Sequence, residues 1–154
     1  MNIIIRQAID NDLKEIQELN YKLFEFEYIN FDQSLNMNWT YSEKGEKYFK
    51  KLIQDGTVWV AEDNNKIIGY LAGSIYGKLS YSTKTLAELD NFYIDENYRR
   101  KGIGKRLVFE LKKYCIYNEI DEIKVSSKAS NNNAKEFYEN NGFDEFEITY
   151  KMKL

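Results

Sequence analysis

The apolar residues of this chain change period several times, and that alternation restricts the fold more than any single motif. Residues 2 to 7 are rich in Ile and read as a strand. Asp10 or Asn11 is then placed to cap a helix whose apolar positions Leu13, Ile16, Leu19, Leu23 and Phe26 recur at helical spacing, ending near Asn30. Residues 31 to 42 carry Phe31, Asp32, Trp39 and Tyr41 without a period and read as a loop, after which Tyr48, Phe49, Leu52 and Ile53 mark a short second helix. Thr57 to Glu62 and Lys66 to Ser74 flank the turn signal Asp63-Asn64-Asn65 and predict an antiparallel hairpin. Leu86 to Ile94 is a further strand. Ile103, Leu107, Leu111, Tyr114 and Cys115 then share one helical face, Glu122 to Ser126 is a short strand, Asn131 to Asn141 a helix closed by Gly142, and Phe143 to Met152 the last strand. The predicted order β, α, α, β, β, β, α, β, α, β belongs to the α/β (α+β) class, a mixed sheet with helices on both faces.

With 154 residues and no Pro-, Gly- or Ser-rich linker or internal repeat, one domain spanning residues 1–154 is expected. The absence of His is the sharpest chemical restriction. It removes the commonest general base, the His-dependent nucleophile systems and every His-ligated metal site, so no metal is expected and acid-base work falls to carboxylates, Tyr or Lys. The single Cys115 forms neither an internal disulfide nor a Cys-rich zinc site, and the start Met1-Asn2-Ile3-Ile4-Ile5-Arg6 lacks a secretory pattern, so a cytoplasmic location is expected. A net charge of −3 argues against non-specific nucleic-acid binding, and apolar runs of only a few residues argue against a membrane span.

The segment Arg99-Arg100-Lys101-Gly102-Ile103-Gly104-Lys105 lies between a strand and a helix. Its glycines permit a backbone path in which several N–H groups face one anion, aided by the positive end of the helix dipole and by the flanking cations; the same residues also suit a plain tight turn into a surface helix. Leu107 stands where a dinucleotide fingerprint needs its third Gly, and Arg106 where a P-loop needs Ser or Thr, which sets both aside. Arg99-x-x-Gly102-x-Gly104 resembles the acyl-CoA pyrophosphate loop of the GNAT superfamily of N-acetyltransferases. Further matches follow in chain order: Ile5-Arg6-Gln7-Ala8 with Asp12, Gly69 in Lys66-Ile67-Ile68-Gly69-Tyr70, and Asn131-x-x-Ala134-x-x-Phe137-Tyr138-x-x-x-Gly142-Phe143. The resemblance covers nearly the whole chain and implies a twisted mixed sheet splayed between the fourth and fifth strands, with acetyl-CoA as co-substrate in the cleft.

Acetyl transfer to an amine needs a neutral nucleophile, a stabilised oxyanion and a proton for the departing thiolate. By resemblance Tyr138 is the acid, while its alternative is ordinary packing, since the chain holds 13 Tyr. Strand period places Glu88 and Asp90 on one face, shared with Phe92 and Ile94, and makes both candidates for the base. Resemblance to polyamine acetyltransferases selects Asp90, with Glu88 second and ordered water third. The resemblance also assigns cofactor contacts to Phe92, Tyr93 and Ile94 on the strand, to Arg99, Arg100, Lys101, Gly102, Ile103, Gly104 and Lys105 in the loop, and to Asn131, Asn133, Ala134 and Tyr138 on the last helix. Main-chain N–H of Phe92 would hold the acetyl carbonyl and that of Ile94 the pantetheine arm. Asn131 serves equally well as a helix cap. The acceptor side carries Glu25, Glu27, Tyr28, Asp32, Trp39 and Tyr41, a set suited to a cationic amine through ion pairing and cation–π contact, although Glu25 and Glu27 also fit the wet face of the first helix. The expected function is therefore direct transfer from acetyl-CoA to a primary amine, a polyamine-like molecule first and a protein or peptide amine next; a non-catalytic acyl-CoA-binding module is the other class. The partner is a small-molecule or peptide amine, with a homodimer left open.

Overall fold

The computed structural model describes residues 1–154. In chain order it contains β1 (Ile4–Gln7), α1 (Leu13–Asn30), α2 (Glu43–Asp55), β2 (Val58–Asp63), β3 (Lys66–Lys78), β4 (Thr85–Ile94), α3 (Ile103–Tyr117), β5 (Glu122–Val125) and α4 (Asn132–Asn140), with 3-10 turns at Asp10–Asp12, Met37–Tyr41 and Glu96–Tyr98. Neither Asp10 nor Asn11 caps α1. That entrance is instead closed by Asp12, which accepts the Ile9 N–H at 2.8 Å and holds the Arg6 guanidinium at 2.7 and 3.0 Å. Arg6 also reaches Glu62 at 2.7 Å, so one half-buried ion cluster joins β1, the entrance of α1 and β2. Capping follows the expected chemistry elsewhere: Ser42 accepts from Gly45 N–H at the start of α2, and Gly56 ends that helix with φ +74°.

The sheet runs β1-β2-β3-β4-β5, antiparallel except for the parallel β4/β5 pair. Two cores occupy its two faces. On one, Ile16, Leu19, Phe49 and Leu52 from α1 and α2 pack on Val58, Val60, Ile67 and Tyr70. On the other, Ile103, Leu107, Val108 and Leu111 of α3 pack on Trp59, Ile68, Leu71, Ala87 and Leu89, with Phe137 and Tyr138 of α4 alongside. Burial of each large side chain among these contributes about 1.5–3 kcal/mol. A polar tie crosses the first core: Asn20 donates to the Tyr70 hydroxyl at 2.9 Å and accepts from Thr40 at 2.6 Å. No helix is long and apolar enough to cross a membrane.

Two features position the site. The β4/β5 pairing covers only Leu86↔Glu122 to Leu89↔Val125, so β4 continues to Ile94 after its neighbour has ended. This is the splay expected between the fourth and fifth strands. Second, Leu89 lies opposite Gly73 and Asn91 opposite Ala72, leaving Asp90 as an extra residue in a β-bulge. The extra residue shifts the parity of the strand: Ala87 and Leu89 before it, and Phe92 and Ile94 after it, all pack towards the α3 core. Glu88 and Asp90 therefore do not share a face with Phe92 and Ile94, contrary to the period-two expectation.

The expected strand from Phe143 to Met152 does not form within this chain. Phe143 packs beside α3, but no strand covers residues 144–154 and no main-chain hydrogen bond joins them to the rest of the protein. Alternation shows that a segment is able to pair, whereas a strand exists only where another edge meets its N–H and C=O groups.

Candidate active site

Where β5 ends, a cleft of about 560 Å³ opens between α1, the Met37–Tyr41 turn, β4 and α4. Its walls include Glu27, Trp39, Tyr48, Asp90, Asn91, Phe92 and Tyr138. Main-chain directions on β4 follow from one bond. The Asp95 N–H donates to Ile68 C=O at 2.9 Å, making Asp95 and Ile68 a hydrogen-bonded pair. Ile94 opposite Gly69 is then a non-hydrogen-bonded pair, and by alternation so is Phe92 opposite Leu71. Both residues turn their N–H groups away from β3, towards the side that β5 has vacated.

The bulge brings Asp90 and Asn91 together against α2. Asp90 Oδ2 accepts from the Tyr48 hydroxyl at 2.6 Å and also from Ser74, so both donors fall on one oxygen. Asn91 Nδ2 donates to the same Tyr48 hydroxyl at 2.9 Å, while Asn91 Oδ1 is buried without a hydrogen-bond partner. Burial first, and then the bond to Asp90, push the Tyr48 phenol far above its ordinary value, which keeps it a proton donor in this network. Glu88 lies outside the cleft lining; it engages Tyr76, whose phenol is pushed up to about 12 by burial and by that carboxylate.

Tyr138 stands across the cleft, edge-on to Phe137 and Phe143 at 5.4 and 5.5 Å between ring centroids. Burial, followed by the charge of Glu27, raises its pKa above the usual tyrosine value. Glu27 is itself raised by burial, with the cation Lys128 opposing the shift. Among the acceptor-side candidates only Glu27 and Trp39 line the cleft. Asp32 sits just behind, bonded to Ser34 and ion-paired with Lys128 at 3.1 Å. Glu25 and Tyr28 are exposed on α1, and Tyr41 packs on Tyr21, all outside the lining.

The glycine loop follows β4 directly. Arg100 has φ +63° and Gly102 φ +76°, and Gly102 opens α3 with no side-chain cap and no acidic residue in the first turn. Alternation of left-handed residues with ordinary ones turns successive N–H groups into a concave nest that suits an anion. Nothing lies within 4 Å of a Cβ built on Gly102, so an oxyanion has room there. Arg99 bonds to Ile94 C=O and lies over the Tyr93 ring, and Lys101 bonds to Asn97 C=O, whereas Arg100 and Lys105 are exposed. This donor set fits the pyrophosphate of a nucleotide-linked thiol. Gly104 has a different reason to be glycine: a Cβ would come within 2.9 Å of Phe92 and 3.0 Å of Phe137, so its absence lets α3 and α4 close on β4. Asn131 caps α4 through Ala134 N–H at 3.1 Å, which commits its side-chain oxygen, while Asn133 is exposed. Cys115 is buried, its thiol pushed up to about 11 by burial, and is a poor nucleophile. No group of three or more His, Cys, Asp or Glu side chains is arranged to hold a metal ion.

Tyr48, Ser74 and Asn91 were not singled out by sequence. Tyr48 follows the apolar spacing of α2 and therefore reads as core, and the bulge that turns Asn91 inward has no local sequence signature.

Comparison with known proteins gives a consistent result. The acetyltransferase (GNAT) family matches residues 13–143. An uncharacterized N-acetyltransferase of Methanocaldococcus jannaschii is 26% identical over 144 residues, covering 94% of this chain, which in turn spans only 62% of that protein's length. One from Bacillus subtilis is 26% identical over 144 residues, 92% of this chain and 89% of the relative. Among solved structures, an aminoglycoside acetyltransferase from an uncultured soil metagenomic sample, in complex with sisomicin, superposes with a TM-score of 0.71 at 26% identity, covering 99% of this chain and 96% of that one.

Proposed function

The chain belongs to the acetyltransferase (GNAT) family, and from that premise we propose that residues 1–154 act as one domain, moving the acetyl group of acetyl-CoA onto a primary amine of a small cationic molecule. A polyamine or an aminoglycoside is the favoured class of acceptor. Transfer is direct, with both substrates bound together. The observation that carries this reading is the meeting, in one cleft, of a held carboxylate, a phenol and an outward main-chain N–H, those of Asp90, Tyr138 and Phe92, with the Ile94 N–H turned the same way further along β4.

Each residue has a task. The loop Arg99 to Lys105 and the open start of α3 hold the pyrophosphate, and Ile94 N–H aligns the pantetheine arm along the free edge of β4. The thioester supplies an electrophilic carbonyl, and Phe92 N–H stabilises its oxygen as negative charge develops there. An alkyl ammonium is mostly protonated at neutral pH and must lose a proton before nitrogen attacks. Asp90 takes that proton directly or through one water, its carboxylate oriented by Tyr48 and Ser74 through Oδ2 so that Oδ1 is left for the acceptor. As the C–N bond forms and the C–S bond breaks, Tyr138 delivers a proton to the sulfur, and the second proton that the nitrogen sheds on becoming an amide returns through solvent to the phenolate. Its raised pKa keeps the phenol protonated throughout the neutral and mildly alkaline range. Glu27 supplies the negative charge, and Trp39 the aromatic face, that favour a cationic acceptor. The single buried Cys115 suits the reducing cytoplasm.

Release of free CoA thiol from acetyl-CoA, measured with a panel of spermidine, spermine, sisomicin, a lysyl peptide and glutamate, tests the proposal. Cationic small amines should give the highest kcat/KM, and added salt should raise their KM. A preference for glutamate would overturn the acceptor class, and CoA binding without thiol release for any amine would make the protein a non-catalytic member of its family.

A further inference from the structure

Asn91 follows the bulge on β4, opposite Ala72, and lines the cleft. Its Nδ2 donates to the Tyr48 hydroxyl at 2.9 Å, and Tyr48 donates in turn to Asp90 Oδ2 at 2.6 Å. Ser74 donates to the same Asp90 oxygen. At the other end of the amide, Asn91 Oδ1 is the one buried side-chain N or O atom of the protein without a hydrogen-bond partner.

Proton counting fixes this orientation of the amide. A phenol has one proton and a carboxylate only accepts, so the Tyr48 proton belongs to Asp90, and the phenol oxygen must receive its second bond from a donor. Were the amide turned round, Asn91 Oδ1 and Asp90 Oδ2 would contest that single proton. The orphaned Oδ1 costs free energy that an apolar side chain of similar size, such as Leu, would not incur. Packing alone therefore does not account for an amide here; its donor end, resting on the partner of Asp90, does.

The charges around Asp90 make the need for donors acute. No Lys or Arg is ion-paired with it. The titratable groups that face it are Tyr48 from α2, Tyr76 from β3 and Glu88 on its own strand, with Glu27 of α1 and Tyr138 of α4 across the cleft. None is a cation, so hydrogen-bond donors alone compensate the carboxylate. By occupying a lone pair of the phenol oxygen, the amide strengthens Tyr48 as a donor and stops it from taking a proton back from Asp90. Oδ2 thus keeps both its donors, and an incoming proton has only Oδ1 to occupy. We propose, on the reading of Asp90 as the base, that Asn91 is a positioning residue for proton abstraction, acting through Tyr48 to reserve Asp90 Oδ1 for the proton of the acceptor amine.

The test uses the full chain with acetyl-CoA and spermidine, or sisomicin where that amine is turned over faster. Asp90→Asn is measured first, to establish that the acid limb of the kcat/KM profile belongs to Asp90. Asn91→Leu keeps the size and removes the donor: kcat/KM should fall by about three- to tenfold, the effect of one lost hydrogen bond, and the acid limb should move to higher pH because the charged carboxylate loses support. Tm and CoA affinity should not fall, since the orphaned acceptor goes as well. Asn91→Asp keeps the shape but sets an acceptor against the phenol and a like charge beside Asp90, so the limb should move further in the same direction. In a Tyr48→Phe background, Asn91→Leu should change kcat/KM by less than about twofold and leave the limb where Tyr48→Phe puts it. Limbs unmoved in both Asn91 variants, with or without a fall in Tm, or an undiminished loss in the Tyr48→Phe background, would overturn the role of Asn91 and leave Asp90 as the base. A change confined to the KM of the amine would overturn it too, making Asn91 a substrate contact. An unmoved limb in Asp90→Asn would overturn the base and its positioning residue together.

Discussion

Tyr138 and Asp90 face the same cleft, the tasks we propose for them are opposite, and substitutions separate them. Tyr138→Phe keeps the ring packed on Phe137 and Phe143 and removes only the proton, so kcat should fall by about ten to a thousandfold with CoA affinity little changed. Because the folded Tyr138 titrates above its ordinary value, the activity of the wild type should persist on the alkaline side of the pH where a free phenol ionises. A turnover number unchanged in Tyr138→Phe would reduce this residue to packing. Asp90→Asn should lose most activity at low pH and recover in part as bulk solvent deprotonates the amine; Tyr48→Phe, which removes one donor from Asp90 Oδ2 and the partner of Asn91, should act in the same direction more weakly. Steady-state pH profiles decide between them, and a loss confined to Glu88→Gln would move the base to Glu88. Of the residues that line the cleft, Glu27, Trp39, Asp90, Phe92 and Tyr138 were singled out from the sequence, Tyr138 through the fixed spacing of Phe137-Tyr138-x-x-x-Gly142-Phe143. The relative directions of Asp90 and Phe92 were not legible there, because a bulge depends on the pairing of β3 with β4 and leaves the strand's composition untouched.

Among the elements, helices were the easier to read, since their apolar period reports their own burial. The entrance of α1 was misread because Asp12 closes it through tertiary partners, Arg6 on β1 and the Ile9 N–H, and no local capping pattern records them. This cluster has a pH signature. Burial acts to raise the Asp12 pKa, but the Arg6 hydrogen bonds, the Ile9 N–H and the Arg6 charge outweigh it, and the carboxyl is held below its ordinary value. A carboxyl lowered on folding stabilises the folded state above its unfolded pKa of about 3.9 and loses that contribution as pH falls through the folded value. Asp12→Asn should therefore cost roughly 1.5–3 kcal/mol at pH 7, the range for a hydrogen bond to a charged group. The difference from wild type should narrow as the pH is lowered from 7 to well below the ordinary carboxylate range. Urea unfolding at the two pH values measures it, and an equal difference at both would show that charge is not what Asp12 contributes. The segment after α4 shows the converse limit: its alternation predicted a strand, and none forms there, because no main-chain partner meets its N–H and C=O groups.

At the scale of the whole molecule, one sheet carries two cores that are separately packed, α1 and α2 on one face and α3 and α4 on the other, and the cleft lies where β4 and β5 part. A ligand running along β4 from the glycine loop to Asp90 touches structure belonging to both cores, so binding should stabilise the fold as a unit. A ligand bound only by the folded state adds about 2.7 kcal/mol at a hundred times its Kd. With roughly 2–4 °C per kcal/mol for a chain of this size, CoA at that concentration should raise Tm by about 5–10 °C. The loop supplies the control. Gly102 adopts φ +76°, which an L side chain tolerates at a cost of about 1–2 kcal/mol, and its Cβ position is the open space offered to the anion. Gly102→Ala should lower the Tm of the free protein by a few degrees and, at the same CoA concentration, sharply reduce the rise. Gly104→Val is the poorer probe, because its side chain would strike the Phe92 and Phe137 rings and disturb both helices before any phosphate is bound. If CoA raises the Tm of Gly102→Ala as much as that of the wild type, the pyrophosphate is held elsewhere and the loop is only the entrance to α3.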